Sequence, residues 1–233
     1  MPPALSIVMP AYNEEGNIES AVHEAAAAAL ALAPDFEIVV VDDGSRDGTS
    51  ARLATLAQTA GNRLRVLTHP KNQGYGAALR DGFRATRGDL VFYTDSDNQF
   101  DLRELAVFLP LMAEADAALG FRLDRQDPLL RRVVSAFFND LSSRVLGLRV
   151  RDLNCSFKLF RGPLIRSLPI ESSDFFVDTE IVALLQTGGF RMVQRGVRHL
   201  PRTSGRSTVR PRDVPRTLVA IASLWRRLRR EKG

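Results

Sequence analysis

Two carboxylates separated by one residue close an apolar run that reads Gly88-Asp89-Leu90-Val91-Phe92-Tyr93-Thr94-Asp95-Ser96-Asp97-Asn98-Gln99. The run is short, β-branched and aromatic, which is the composition of a buried strand. If strand geometry persists to its end, Asp95 and Asp97 project from one face. Like charges that close repel unless a cation lies between them. Hard oxygen ligands suit Mg2+ or Mn2+, ions that also take water and substrate phosphates. The expected chemistry is therefore a metal–diphosphate site at a strand end, with a solvated acidic turn as the alternative.

Other polar groups stand in comparable places. Tyr12-Asn13-Glu14 follows the apolar run Leu5 to Met9, and Asp42-Asp43-Gly44-Ser45 follows Phe36 to Val41. Asp43 is expected either at the substrate or capping the next turn. Asp178 and Glu180 share a predicted helix, either as candidate bases or as partners of an arginine. His23, His69 and His199 are scattered, and Cys155 reads as a small buried residue.

The elements that must position these groups alternate. After the first strand, Asn17 to about Leu32 is helical and stopped by Pro34. After the second, a helix runs to about Ala60, ended by Gly61-Asn62. Leu64 to Leu67 is a strand, and the loop Lys71 to Gly76 leads into a helix from Ala77 to about Thr86. The strand bearing Asp95 follows, and a helix is expected from Asp101 to about Ala115. Such alternation with apolar strands describes an α/β fold, a parallel sheet covered on both faces. Ligands of these sheets bind outside the carboxyl ends of the strands, where the polar motifs lie. Further on, strands are expected over Ala117 to Phe121, Leu153 to Phe160 and Met192 to Leu200. Helices are expected over Leu129 to Leu146, Phe176 to Leu185 and Asp213 to Arg230.

The 233 residues, 45% hydrophobic and 25% charged, suffice for one α/β domain with an appendage. One cysteine excludes an internal disulfide framework. Met1-Pro2-Pro3 opens no signal peptide, and no apolar stretch is long enough to span a bilayer. A soluble or peripheral protein is expected. The net charge of +5 is uneven, with arginine dominating from Arg191 onward, and points to an anionic partner. Gly74-Tyr75-Gly76-Ala77-Ala78-Leu79 lacks the third glycine of a dinucleotide fingerprint, and no P-loop pattern occurs.

Taken together, Ser6 to Glu15, Val39 to Thr49, Asn72 to Ala78 and Thr94 to Gln99 resemble glycosyltransferase family 2 in order and spacing. Gly120-Phe121-Arg122, Asp152 to Phe160, Asp178-Thr179-Glu180 and Arg202 to Thr208 resemble its dolichyl- or polyprenyl-phosphate sugar synthase branch. The branch often has Gly where Ser156 stands and usually Lys where Thr208 stands. The resemblance implies a GT-A fold, Rossmann-like, with a mostly parallel central sheet. It implies a nucleotide-sugar half at 1–116, an acceptor half at 117–211 and a basic amphipathic helix at 212–233. By the same resemblance Pro10, Ala11, Tyr12, Glu14, Asp42, Gly76, Asp95 and Ser96 border the nucleotide. Asp95, Asp97 and Gln99 hold Mg2+ or Mn2+ and the diphosphate. Arg122, Arg131, Arg132, Arg202 and Arg206 face the acceptor phosphate, with Arg122 and Arg202 counted beside Asp95 and Asp97 in catalysis.

The function implied is an inverting, metal-dependent transfer of a hexose from a GDP- or UDP-sugar to a polyprenyl phosphate. The alternatives are a family member with a soluble or glycan acceptor and a non-catalytic basic module. No nucleic acid is expected as partner. The helix at Asp213 to Arg230 carries Val214, Leu218, Ile221, Trp225 and Leu228 on one face with arginines around its end. It is expected either to lie in a membrane interface or to pack on the domain. The expected location is cytoplasmic, on the cytoplasmic face of the membrane, with a separate transmembrane partner subunit as another source of anchorage.

Overall fold

A computed structural model describes residues 4–123, 129–201 and 213–230. Strand β1 (Leu5–Ala11) leads to α1 (Ile18–Leu32), β2 (Phe36–Asp42), α2 (Thr49–Ala60), β3 (Leu64–Thr68), α3 (Tyr75–Ala85) and β4 (Leu90–Thr94). Then come β5 (Ala117–Leu123), α4 (Leu129–Leu146), β6 (Phe157–Arg161), α5 (Gly162–Ser167), α6 (Val177–Thr187), β7 (Met192–Arg198) and α7 (Asp213–Arg230). The seven strands form one sheet in the order β3-β2-β1-β4-β6-β5-β7. Pairing is parallel throughout except for β6, which runs antiparallel between β4 and β5. The expected mostly parallel α/β sheet is present.

Both faces of the sheet are covered, which is why its central strands are apolar at consecutive positions. Ile7, Met9, Ile38, Val40 and Phe92 join one core with α1 and α2. Val8, Val39, Val41, Val91 and Tyr93 join the other, beneath α3 and α6.

Two expected elements differ. The helix expected from Asp101 to Ala115 is two 3-10 segments, Leu102–Val107 and Leu109–Ala113. Pro110 has no N–H to continue a helical ladder, and Leu102, Leu105, Phe108 and Met112 are instead pressed onto the sheet. The strand expected from Leu153 begins only at Phe157, because residues 152–156 form a polar turn.

Of the two arrangements expected for α7, its apolar face takes the second and packs on the domain: Ile221, Leu224 and Leu228 are buried in the core that holds α6. An apolar face packed on protein offers little to lipid. Leu218 and Val219 stay exposed, and Trp225 lies half-buried with the Arg229 guanidinium 3.9 Å from its ring centroid. The side chain of Val214 lies outside the described residues. Among the described residues no helix is long and apolar enough to cross a membrane.

Candidate active site

The chain runs from β1 outward to β2 and β3, then returns to place β4 on the other side of β1. That reversal makes the β1–β4 edge the switch point of the sheet, where a crevice opens at the carboxyl ends. Ser96 ties the two strand ends by donating its hydroxyl to the Pro10 carbonyl at 2.9 Å. The loops after β1 and β2 are joined as well. Asn13 N–H donates to Ser45 Oγ (3.0 Å), Arg46 N–H to Asn13 Oδ1 (2.8 Å) and Glu14 N–H to Thr49 Oγ1 (2.9 Å). Tyr12 is half-buried there, and Glu14 accepts from Asn17 Nδ2 at 2.6 Å.

Strand β4 stops at Thr94, so Asp95 and Asp97 stand in the following turn and not on the strand's pleat. Asn98 completes that turn with a φ of 56°. Asp95 receives hydrogen bonds on both oxygens, from Tyr75 OH at 2.8 Å and from Ser156 Oγ at 2.6 Å. Burial, and then the charge of nearby Asp97, push its pKa up to about 7 against those two donors. Burial and the Asp95 charge in turn hold the Tyr75 hydroxyl well above the ordinary phenol range. Asp97 is buried and accepts from Gln99 N–H at 3.3 Å.

This donor set fits a hard divalent ion. The Asp95 and Asp97 carboxylates, the first partly buried and the second buried, repel each other, and a bound cation would relieve that repulsion. Among the described residues no group of three or more His, Cys, Asp or Glu gathers to cage a metal. A Mg2+ or Mn2+ ion held by Asp95 and Asp97 would thus draw its remaining ligands from substrate phosphates and water.

Several of the expected site residues have partners within the protein. Asp42 is fully buried, accepting from Ser45 N–H (3.0 Å) and from the Ser50 hydroxyl, so it braces its own turn. Asp43 accepts from Gln73 N–H and Gly74 N–H, each at 2.8 Å, and lies 2.7 Å from His69 Nδ1. A buried carboxylate needs such donors, and here they fix the loop before α3. Gly76 admits a close approach of this chain's own backbone: a Cβ there would stand 2.4 Å from the Ser172 carbonyl oxygen. Gly74, with φ 100°, is packed in the same way, 2.1 Å from that of Ser173.

The acceptor-side residues are also engaged. Arg122 forms a two-pronged ion pair with Asp152, Nε to Oδ2 at 2.7 Å and Nη2 to Oδ1 at 2.8 Å. Both side chains are largely buried, and through this pair Arg122 braces the 152–156 turn. Gln99 donates its side-chain amide to the Leu200 carbonyl at 3.2 Å.

Neither candidate base is unengaged. Asp178 accepts from the Tyr93 hydroxyl and from Lys158 Nζ at 2.5 Å, and Lys158 is wholly buried. Glu180 accepts from Arg227 Nη2 at 2.5 Å, Glu171 N–H at 3.0 Å and Ser172 N–H at 2.8 Å. The arginine-partner alternative therefore holds for Glu180, and Asp178 has a lysine in that role. The side chains of Arg131 and Arg132, and all of Arg202 and Arg206, lie outside the described residues.

Tyr75 and Ser156 touch Asp95 without having been singled out as ligands. Tyr75 lay within a recognised loop, whereas Ser156 was visible only as a departure from the branch's glycine. Lys158 joins the site from below, donating to the Leu153 and Cys155 carbonyls at 3.0 and 2.6 Å and so shaping the turn that carries Ser156. Burial pushes the Cys155 thiol up to about 12, an inert value that agrees with a packing role.

The model of Glycosyl transferase family 2 matches residues 6–168. Undecaprenyl-phosphate 4-deoxy-4-formamido-L-arabinose transferase from Pseudomonas aeruginosa is 33% identical over 165 residues, 70% of this chain and 49% of its own. The transferase of the same description from Edwardsiella ictaluri is 31% identical over 210 residues, 87% of this chain and 62% of its own. Dodecaprenyl-phosphate galacturonate synthase from Rhizobium johnstonii is 32% identical over 169 residues, 71% and 50% of the two chains. The chain thus spans about half the length of most of these relatives. Among solved structures, glucosyl-3-phosphoglycerate synthase from Mycobacterium tuberculosis, in complex with Mg2+ and UDP, superposes with a TM-score of 0.70. That match has 25% identity and covers 94% of this chain and 79% of the other. The GT-A-like architecture, the strand-end carboxylates and these matches agree: the chain belongs to glycosyltransferase family 2.

Proposed function

We propose that the chain is the catalytic part of a metal-dependent, inverting glycosyltransferase that moves a hexose from a GDP- or UDP-sugar to a polyprenyl phosphate. The observation that carries this reading is the pairing of Asp95, braced by Tyr75 and Ser156, with the buried Asp97 at the sheet's switch point. Support for the acceptor comes from the relatives, whose names specify undecaprenyl or dodecaprenyl phosphate. Support for the donor comes from the structural neighbour with Mg2+ and UDP.

Breaking a sugar–phosphate bond passes through an oxocarbenium-like state and releases a diphosphate. A divalent ion bound at Asp95 and Asp97 would neutralise the charge growing on that leaving group. Tyr75 and Ser156 orient Asp95 for this task, while the joined loops after β1 and β2, with Tyr12 and Glu14, border the nucleotide. A hydroxyl acceptor needs a base, but a phosphomonoester with its second pKa near ~6 is already ionised at neutral pH. The ion pairing of Asp178 and Glu180 therefore favours a phosphate acceptor. Arg131, Arg132, Arg202 and Arg206 remain the proposed partners of that phosphate. Attack from the face opposite the leaving group inverts the anomeric carbon. In this reading 1–116 binds the donor and 117–211 the acceptor, and the lipid brings the enzyme to the cytoplasmic face of a membrane.

The test is a donor panel including GDP-mannose and UDP-glucose, with Mg2+ or Mn2+, against polyprenyl phosphate and soluble acceptors. Transfer confined to the lipid phosphate is the expected result. Equal transfer to soluble acceptors, or no donor turnover at all, would overturn the reading.

A further inference from the structure

Among the described side chains of helix α7, Arg227 turns inward while Arg226, Arg229 and Arg230 are exposed. Arg227 places Nη1 2.6 Å from Glu171 Oε2 and Nη2 2.5 Å from Glu180 Oε1. Glu180 is buried on α6, and its two oxygens also receive the N–H groups of Glu171 (3.0 Å) and Ser172 (2.8 Å). The guanidinium and the carboxylate together thus clamp the start of the segment 171–175.

The other end of that segment reaches the carboxylate site. The Ser173 carbonyl accepts the Gly76 N–H at 3.0 Å, at the first turn of α3. Gly74 and Gly76 leave no room for a Cβ beneath the same segment, so the two backbones pack directly on each other. Phe175 stacks on Tyr75 with ring centroids 5.0 Å apart and planes at 26°. Tyr75 is the residue whose hydroxyl donates to Asp95.

We propose that Arg227 is a positioning residue: through Glu180 and segment 171–175 it sets Tyr75 against Asp95, so that the seating of α7 is coupled to metal and nucleotide binding. The inference rests on the nucleotide-sugar reading of that site and adds a device to it. Arg227 touches no substrate group, and coupling of this kind runs through contiguous packed and hydrogen-bonded elements. Because coupling is reciprocal, a nucleotide bound at Asp95 and Asp97 must in turn change the environment of α7. The chain's single tryptophan, Trp225, lies on that helix two residues from Arg227 and reports it.

The experiment uses the full chain and its R227M, R227K and F175L variants. Amide hydrogen exchange is followed at Glu171, Ser172 and Gly76. Calorimetry with Mn2+ plus UDP, and separately Mn2+ plus GDP, gives affinity, and Trp225 fluorescence is recorded in the same titrations. R227M should accelerate exchange at all three amides, weaken the Mn2+–nucleotide affinity about fivefold or more, and abolish the Trp225 response. R227K should recover most of each loss, which a general loss of stability would not do. F175L cuts the relay at a half-exposed ring and keeps the clamp, so it should weaken nucleotide binding yet leave Glu171 and Ser172 protected. Unchanged exchange in R227M, or affinity within twofold of the parent in both R227M and F175L, would overturn the proposal. A parent chain that binds neither nucleotide would sink the functional reading instead, and the exchange at Gly76 would still judge the relay.

Discussion

Ser156→Ala removes the 2.6 Å hydrogen bond donated to Asp95 Oδ2 and changes little else, since the hydroxyl sits in a turn. Hydrogen bonds to charged groups are worth about 1.5–3 kcal/mol, and one pKa unit corresponds to about 1.4 kcal/mol. The sign follows from the carboxyl's two states. Asp95 titrates at about 7, and only its ionised form ligates a cation well, so in the parent protein Mn2+ affinity should climb as pH rises through about 7. The Ser156 donor favours the ionised form. Without it the midpoint should move upward by about one unit or more, so Mn2+ binding near pH 7 should weaken about fivefold or more. Well above both midpoints the two proteins should converge. Isothermal calorimetry of Mn2+ with UDP or GDP, repeated from pH 6 to about 9, reads both the midpoint and the affinity. A midpoint that stays in place or moves down in the variant would refute the assignment of Ser156 as the brace of Asp95.

Three further outcomes are expected. Asp97→Ala should abolish Mn2+-dependent nucleotide binding while the melting temperature holds or rises, because a buried repulsion is removed; retained binding would exclude a two-carboxylate site. Lys158→Met should cost about 3–5 kcal/mol in urea unfolding by stranding Asp178, and Lys158→Met with Asp178→Asn should recover more than half; a single variant within about 1 kcal/mol of the parent would argue against the buried pair. Burial raises the Glu37 carboxyl, but hydrogen bonds from Ser6 and Arg87 outweigh it and hold the pKa below the ordinary 4.5. Its contribution to stability is therefore complete above the unfolded value and lost as pH falls through the lower folded one, so Glu37→Gln should flatten that part of an acid-unfolding curve.

The resemblance read from the strand-end motifs is the part of the function most legible in the sequence. Tyr12-Asn13-Glu14, Asp42-Asp43 and Asp95-Ser96-Asp97 do gather where β1, β2 and β4 end. Roles of individual residues were less legible. Asp42, Glu180 and Arg122 are charged residues in motifs, and the sequence reading placed Asp42 and Arg122 on ligands. In the fold each is buried enough to need a protein partner, and each has one. The helix expected at Asp101 failed for a local reason visible beforehand, Pro110, combined with a demand for burial that only the sheet imposes.

The sequence by itself determined the alternation of elements, because periodicity and turn residues act over a few positions. It also determined that carboxylates would follow the strands. The tertiary structure alone decided that β6 enters antiparallel between β4 and β5, bringing Ser156 to Asp95 across 61 positions. It alone decided that the stripe of α7 faces a core and that Arg227 meets Glu180 across 47 positions. A hydrophobic stripe encodes that something apolar will cover it and not what, and a charge encodes its need for a partner and not which one. Those choices are made only when distant segments compete for the same buried space.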